Sequence, residues 1–446
     1  MKIFQRLAVF TIFLAVLSGC EKVWDTSGYD PLPGTETPDD SDEQGDPSEP
    51  SDPSVTPPST DPSISAAYQI TGGTITRTVL NNYLSRAITE SEYLCTRTHG
   101  TELFYGQPDD KRMLLNIGAK FIGRAIYYWG QEKKFGSEGW MSGAKTKVQE
   151  YHQQDPEAIF QAAVFEIVTK DVNQVKIPEW VFTAFGKTPE DRNFNFDLIR
   201  DEGGRHNNYW GTDTCVPDIS REETQMWFYY QIVRYMEVGC EAVHLGQVML
   251  IASLGDSGNG YAGYKRLIDL VRGAAKTKAR RGVVLLDAHM SNGGLIIGGK
   301  QYLDFISFPL RLKEKTNEQA TLGAAFEVNG SYYSDNIIGR TGNMPYLLEF
   351  DNYGKSGNEG NATSDHFVWG YDEITWFAKL DYTSGCVFLD YATKFLADKD
   401  PNKGHLQMPG MRLIQFAPGV FRCNNKSSGY NDRFGYESKI KQLWSK

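Results

Sequence analysis

The stretch AKFIGRAIYYWGQEKKFGSEGW, residues 119–140, carries the choice of fold. Its first half, 119–130, is a short apolar run that reads as a strand. From Gly139 to Pro156 the pattern becomes helical and then stops at the proline. An open doubly wound sheet that binds a nucleotide needs a glycine-rich turn directly after its first strand. YYWGQEKKFGSEGW is not GxGxxG, so that reading lacks its main requirement.

The alternation then repeats. Strands are expected at 158–168 (AIFQAAVFEIV), 241–250 (EAVHLGQVML), 282–289 (GVVLLDAH), 302–312 (YLDFISFPLRL) and 345–354 (PYLLEFDNYG), and a late one begins at 405–410 (HLQMPG). Helices are expected at 220–239, where Ser220 and Glu223 match a capping box, and at 261–281, 371–380 and 386–401. Seven or eight strand candidates separated by helices predict an α/β protein of the (β/α)8 TIM-barrel type, with the 119–130 strand as the first and the barrel spanning 67–446.

The N-terminal part has a different character. MKIFQRLAVFTIFLAVLSGC, residues 1–20, has Lys2 and Arg6, an apolar core too short to span a bilayer, and small residues ending in Cys20. It resembles a bacterial lipoprotein signal, which implies cleavage before Cys20, acylation there, and an outer-membrane lipid anchor in the cell envelope. Residues 21–66 hold nine of the nineteen prolines and twelve acids against one lysine, and this composition predicts a disordered, self-repelling tether. Of the net charge of −10, the signal contributes +2 and the tether −11, leaving the barrel near −1. Such a balance argues against nucleic acid as a partner. Cys95, Cys215, Cys240, Cys386 and Cys423 remain after lipidation, an odd number without CxxC, so at most two disulfides are expected. Nothing in the sequence sets an oligomeric state.

In such barrels, functional side chains stand at the carboxyl ends of the strands. Aligned by apolar lead-ins, QAAVF precedes Glu166, VVLL precedes Asp287 and PYLL precedes Glu349, three acids at one expected depth. Two residues further out on the same faces come His289 and Asp351, with Asn352 beside it. The 241–250 strand adds His244 and Gln247. A single acid at a strand end is usually a helix cap or an ion-pair partner. Several buried together need protons, cations or substrate hydroxyls to offset their repulsion. Arg124 is placed to neutralise one of them. Trp129, Tyr209, Trp210, Tyr353, Trp369 and Tyr371 crowd the same expected mouth, and flat rings beside carboxylates and amides suit a sugar.

Paired carboxylates then supply acid and base or nucleophile for glycosidic cleavage. Asp287 is the expected nucleophile or base and Glu349 the expected acid. Glu166 joins them, and Asp351, Asn352, His244, Gln247, His289, Arg124, Trp129 and Trp210 hold the carbohydrate substrate. No GxSxG, Walker loop or opening HxH occurs, so no cofactor is expected, and a metal site is the lesser alternative.

The lipobox, the acidic tether and the runs FEIVTKDVNQVKIPEWVF, EAVHLGQV, LLDAH and LLEFDNYG resemble the glycan-processing barrel lipoproteins of Gram-negative polysaccharide degraders. The resemblance implies a lipid-anchored glycoside hydrolase. An Asp on the fourth strand and an acid on the sixth would be similar to retaining α-glycosidases of the α-galactosidase type. The alternative is a glycan-binding lipoprotein on a barrel that has lost catalysis.

Overall fold

The computed structural model describes residues 63–95, 108–290, 294–310, 312, 345–352, 357–361, 367–399, 404–416, 419–424 and 435–445. Expectations for the signal, for the tether up to residue 62 and for Tyr353 lie outside the described residues.

Eight parallel strands follow one another around a barrel in chain order. They are β1 (Ala87–Glu90), β2 (Phe121–Ile126), β3 (Ile159–Ala163), β4 (Ala242–His244), β5 (Leu285–Asp287), β6 (Ile306–Pro309), β7 (Tyr346–Glu349) and β8 (Gly404–Leu413). β8 pairs with β1. The last seam is closed by a parallel bridge from His289 to Ser307, with Ser307 N donating to Ala288 O at 3.1 Å and Met290 N to Ser307 O at 3.2 Å. The helices α1 (Arg77–Leu84), α2 (Pro108–Ile117), α3 (Gly139–His152), α4 (Glu222–Val238), α5 (Ala262–Lys278), α6 (Glu373–Lys379), α7 (Tyr382–Lys399) and α8 (Glu437–Trp444) complete the α/β architecture.

Three sequence readings change. The strand at 119–130 is the second, because AITE at 87–90 forms β1. Asp287 therefore ends the fifth strand and Glu349 the seventh, and the fourth-and-sixth count behind the α-galactosidase comparison falls. The expected strand 241–250 lasts only from Ala242 to His244, after which Gln247 precedes a helical turn, Val248–Ala252. The capping box does not form. Arg221 is the N-cap of α4, Ser220 Oγ donates instead to Asp218 Oδ1 at 2.6 Å, and Glu223 is held by Arg192 at 2.7 Å. All five cysteines are free.

The period of two along the strands divides the core. Ile88, Ile122, Phe160, Val243, Leu286, Ile306, Leu348 and Leu406 belong to the large outer core with the helices. Ala87, Phe121, Ile159, Ala242, Leu285, Phe305 and Leu347 form a second, inner cluster with Val79, Leu80, Tyr83 and Leu84 of α1. Phe121 and Phe305 meet edge to face across the barrel, 5.5 Å apart. α1 thus plugs the amino end of the barrel, and each large apolar side chain sealed there contributes about 1.5–3 kcal/mol. Two residues further along every strand, the inward row reads Thr89, Gly123, Gln161, His244, Asp287, Ser307, Glu349 and Gln407. Valine, isoleucine and leucine usually fill that position in an eight-stranded barrel. Here it is polar or glycine on every strand.

Candidate active site

The polar row is joined by hydrogen bonds. Asp287 accepts from Gln161 Nε2 at 2.7 Å on one oxygen, and its other oxygen meets His244 Nδ1 and Ser307 Oγ, each at 2.8 Å. Glu349 is bound by Arg124 and by His289 Nε2, the latter at 2.5 Å, both on Oε1, while Arg412 Nη1 lies 3.5 Å from Oε2. Arg412 also reaches Asn352 Oδ1 at 2.9 Å and Asp351 Oδ1 at 3.7 Å. Glu349 and Asp351, two positions apart in sequence, thus share one cation. The His244 and His289 rings pack edge to face, 4.7 Å apart.

Arg124 reaches this point through a local irregularity. Strict alternation would send it outward with Ile122. Instead the β2–β3 register shifts between Ile122 and Ile126, and Arg124 has φ +55°, a left-handed conformation that a bulky residue rarely adopts. Its N–H donates to Gln161 Oε1 at 3.0 Å, and its carbonyl accepts from Glu92 N at 3.1 Å, Glu92 itself having φ +59°. Backbone strain of this kind, roughly 1–3 kcal/mol per residue, persists where the surroundings over-determine it. Here it turns the guanidinium onto the axis. Gly123 beside it is required by space, since a Cβ there would lie 2.0 Å from Gln407 Nε2.

Burial and charge push the two carboxyls in opposite directions. For Asp287 burial dominates and raises it to about 7, against the charge of Arg124 and the Ser307 bond. Burial also pushes Glu349 up, but Arg124, His289 and Arg412 outweigh it and hold the group well below the usual carboxylate range. Burial, with the nearby charges of Arg124 and His289, keeps the His244 imidazole neutral. Its Nε2 is buried and has no hydrogen-bond partner among the described residues. Below about pH 7, therefore, Glu349 is the ionised group and Asp287 the one that retains a proton. The sequence reading makes Glu349 the acid and Asp287 the nucleophile or base, the reverse of this charge distribution.

Glu166 stands apart from the pair. β3 ends at Ala163, so the position on that strand matching Asp287 in depth is Gln161, and the carboxylate of Glu166 binds Gln247 N at 3.1 Å and Gln247 Nε2 at 2.8 Å. Gly246 makes that approach possible: its φ is +60°, and a Cβ would come within 2.4 Å of Glu166 Oε2. Trp210 Nε1 donates to the Glu166 carbonyl at 2.8 Å. An aromatic wall rises here, His244 to Phe165, Phe165 to Trp129, Trp129 to Trp210 and Trp210 to Tyr209, with centroid distances of 4.8–5.9 Å. Trp369 and Tyr371 lie on a separate turn closed by the Val368–Tyr371 bridge.

Gln161, Ser307, Gln407 and Arg412 were missed. The first two carry a detectable signal, each two residues beyond an apolar residue of the barrel floor, Ile159 and Phe305, whereas Gln407 follows His405 and carries none. Arg412, late in a long strand, carries none. Among the described residues no group of three or more His, Cys, Asp or Glu side chains is arranged to hold a metal ion.

No known protein family and no curated protein matches the chain. Among solved structures it is similar to a debranching enzyme from Nostoc punctiforme, at 10% identity over 82% of this chain and 80% of that one, with a TM-score of 0.43. A GH5-4 broad specificity endoglucanase from Ruminococcus flavefaciens gives 9%, 83%, 99% and 0.44 in the same order. Endo-glycoceramidase II from Rhodococcus sp. gives 13%, 73%, 73% and 0.37. The barrel rests on the strand pairing above and the chemistry on its side chains, and neither rests on these likenesses.

Proposed function

We propose that the protein is a glycoside hydrolase, acting on a poly- or oligosaccharide, in which Glu349 is the ionised carboxylate that attacks the anomeric carbon. The observation that carries this reading is the pair of buried carboxyls at the carboxyl end of the barrel whose protonation is driven apart, Glu349 downward and Asp287 upward. Glycosidic cleavage needs an ionised carboxylate to form or stabilise the bond at carbon and a second group that keeps a proton available, and the opposed states of the pair leave Glu349 as the ionised one. The aromatic wall from Phe165 to Tyr209 supports it, because a sugar ring offers an apolar face to such a surface. Arg124 and Arg412 flank Glu349 and Arg412 holds Asn352, which puts donors for hydroxyls beside the carboxylate. Export and lipid anchoring at Cys20 belong to the same proposal, and loss of labelled fatty acid on Cys20→Ala tests them.

The test of the chemistry is Glu349→Ala assayed on aryl glycosides with and without azide. The variant removes the carboxylate between two arginines and leaves room for a small anion. We expect turnover to fall by several powers of ten, on the order of 4 kcal/mol or more in the barrier. Azide should restore part of it, with a glycosyl azide as the product.

A glycan-binding barrel without catalysis is the second reading, and one observation favours it. Both oxygens of Glu349 are engaged by cations and its side chain is fully buried. Glycan binding that survives Glu349→Ala, in a wild-type protein that cleaves no glycoside, would select this reading instead.

A further inference from the structure

We propose that His289 is a further catalytic residue, the group that passes the proton to the departing sugar oxygen. This rests on the hydrolase reading above. Glu349, Asp287 and His244 have side chains with no exposure at all, while that of His289 is 15% exposed, and it stands on the rim side of the same cluster. Burial pushes Asp287 toward its protonated form, but both of its oxygens are engaged by Gln161, His244 and Ser307. Of the four side chains, only that of His289 is partly exposed.

Its geometry is specific. Nε2 lies 2.5 Å from Glu349 Oε1 and 2.9 Å from Arg124 Nη2. A carboxylate oxygen at that distance requires Nε2 to carry hydrogen and donate, so Arg124 and His289 both point N–H groups at one oxygen. The other ring nitrogen, Nδ1, has no hydrogen-bond partner among the described residues. It lies one imidazole width farther from Glu349, a displacement that brings a proton donor toward the carboxyl separation of roughly 5–5.5 Å found in retaining glycosidases. The backbone at this position is fixed as well. His289 N donates to Gly246 O at 2.9 Å, and the residue forms the bridge to Ser307 that closes the barrel.

The step balances without a further reactant. As a Glu349 oxygen forms a bond to the anomeric carbon, the bond from that carbon to the leaving oxygen breaks, and the Nδ1 proton of imidazolium His289 passes to the leaving oxygen. Neutral His289 then takes a proton from the water that attacks the glycosyl ester, releasing Glu349 as carboxylate and restoring the imidazolium.

The experiment compares leaving groups. Wild type, His289→Ala, His289→Asn and Asp287→Asn are assayed on aryl and alkyl glycosides of the sugar that wild type cleaves, from dinitrophenol, which leaves without a proton, to methanol, which needs one. His289→Ala and His289→Asn should lose roughly 10²–10⁴-fold on the poorest leaving groups and less than about tenfold on dinitrophenyl glycosides. Asp287→Asn should lose activity evenly across the series. An even loss in both His289 variants, or a graded loss in Asp287→Asn, overturns the assignment while leaving the hydrolase reading intact. Absence of turnover by wild type on every glycoside overturns both.

Discussion

Asp287 titrates inside a cage of hydrogen bonds, and its stability linkage follows from its direction. Its carboxyl is raised to about 7 in the fold, with burial as the main cause, so the protonated form is the one the native state prefers. Stability from this group is complete below the ordinary aspartate range and is lost as pH rises through about 7. Asp287→Asn, neutral throughout, should lack that loss. Relative to the variant, wild type should weaken by about 4 kcal/mol between pH 4 and pH 9. Urea unfolding at several pH values measures the slope, and parallel curves for the two proteins would contradict the assignment. Glu349 works in the opposite sense: its contribution is present at neutral pH and lost as pH falls, because the two arginines and His289 favour its charged form. Residues with these roles were partly legible in the sequence. Asp287 and Glu349 were found from their apolar lead-ins, since LLD and LLE each end a strand on an inward position. Glu166 was misplaced by the same method. The lead-in of β3 runs on past the strand, and apolar residues after Ala163 do not report that pairing has stopped.

At the scale of an element, the β2 bulge is the feature on which the site depends. It converts an outward arginine into an axial one, and the neighbouring Gly123 leaves the space that the Gln407 amide fills. Gly123→Ala would put a methyl 2.0 Å from Gln407 Nε2 and 3.3 Å from Gln161 Oε1. The Gln407 side chain must move, or the strand must. We expect a loss of about 1–3 kcal/mol in stability, as for other overpacked interiors, with a fall in activity as Gln161 loosens from Asp287. Chemical denaturation together with the pH profile checks this: unchanged stability would mean that the amide has room elsewhere. Sequence could not announce the bulge. GRA inside FIGRAI reads as an ordinary strand, and only the requirement to pair with β1 and β3 at once places the extra residue. β1 was missed for a related reason. AITE is four residues long with an acid in it, too short for periodicity to register, and it becomes a strand because β2 and β8 lie on either side.

At the scale of the whole molecule, the barrel is closed by apolar side chains at one end and carries the polar cluster toward the other. α1 and the segment before it seal the amino end. Tyr83 packs on Tyr68 at 4.9 Å and its hydroxyl lies within hydrogen-bond distance of the Tyr68 and Glu157 carbonyls, while Ser65 N donates to Glu157 Oε1 at 2.9 Å and Ile64 is buried. A chain beginning at Ser63 should therefore melt within a degree or so of one that begins at Glu21. A chain beginning at Thr71, without those contacts, should lose several degrees, in line with a deficit of 1–2 kcal/mol in a large domain. Equal melting of all three would show that the segment from Ile64 to Ile70 contributes nothing.

The sequence by itself determined the alternation of strand and helix, the inward direction of Asp287 and Glu349, and the separate composition of the first 66 residues, because each depends on neighbours within a few positions along the chain. The tertiary structure alone decided that β1 exists, that Gln161 rather than Glu166 lies level with Asp287, that Arg124 turns inward, and which carboxyl keeps its proton. Each of these depends on the register of strands distant in sequence and on charges from four of them, β2, β5, β7 and β8, converging on one low-dielectric axis. No local pattern records that convergence.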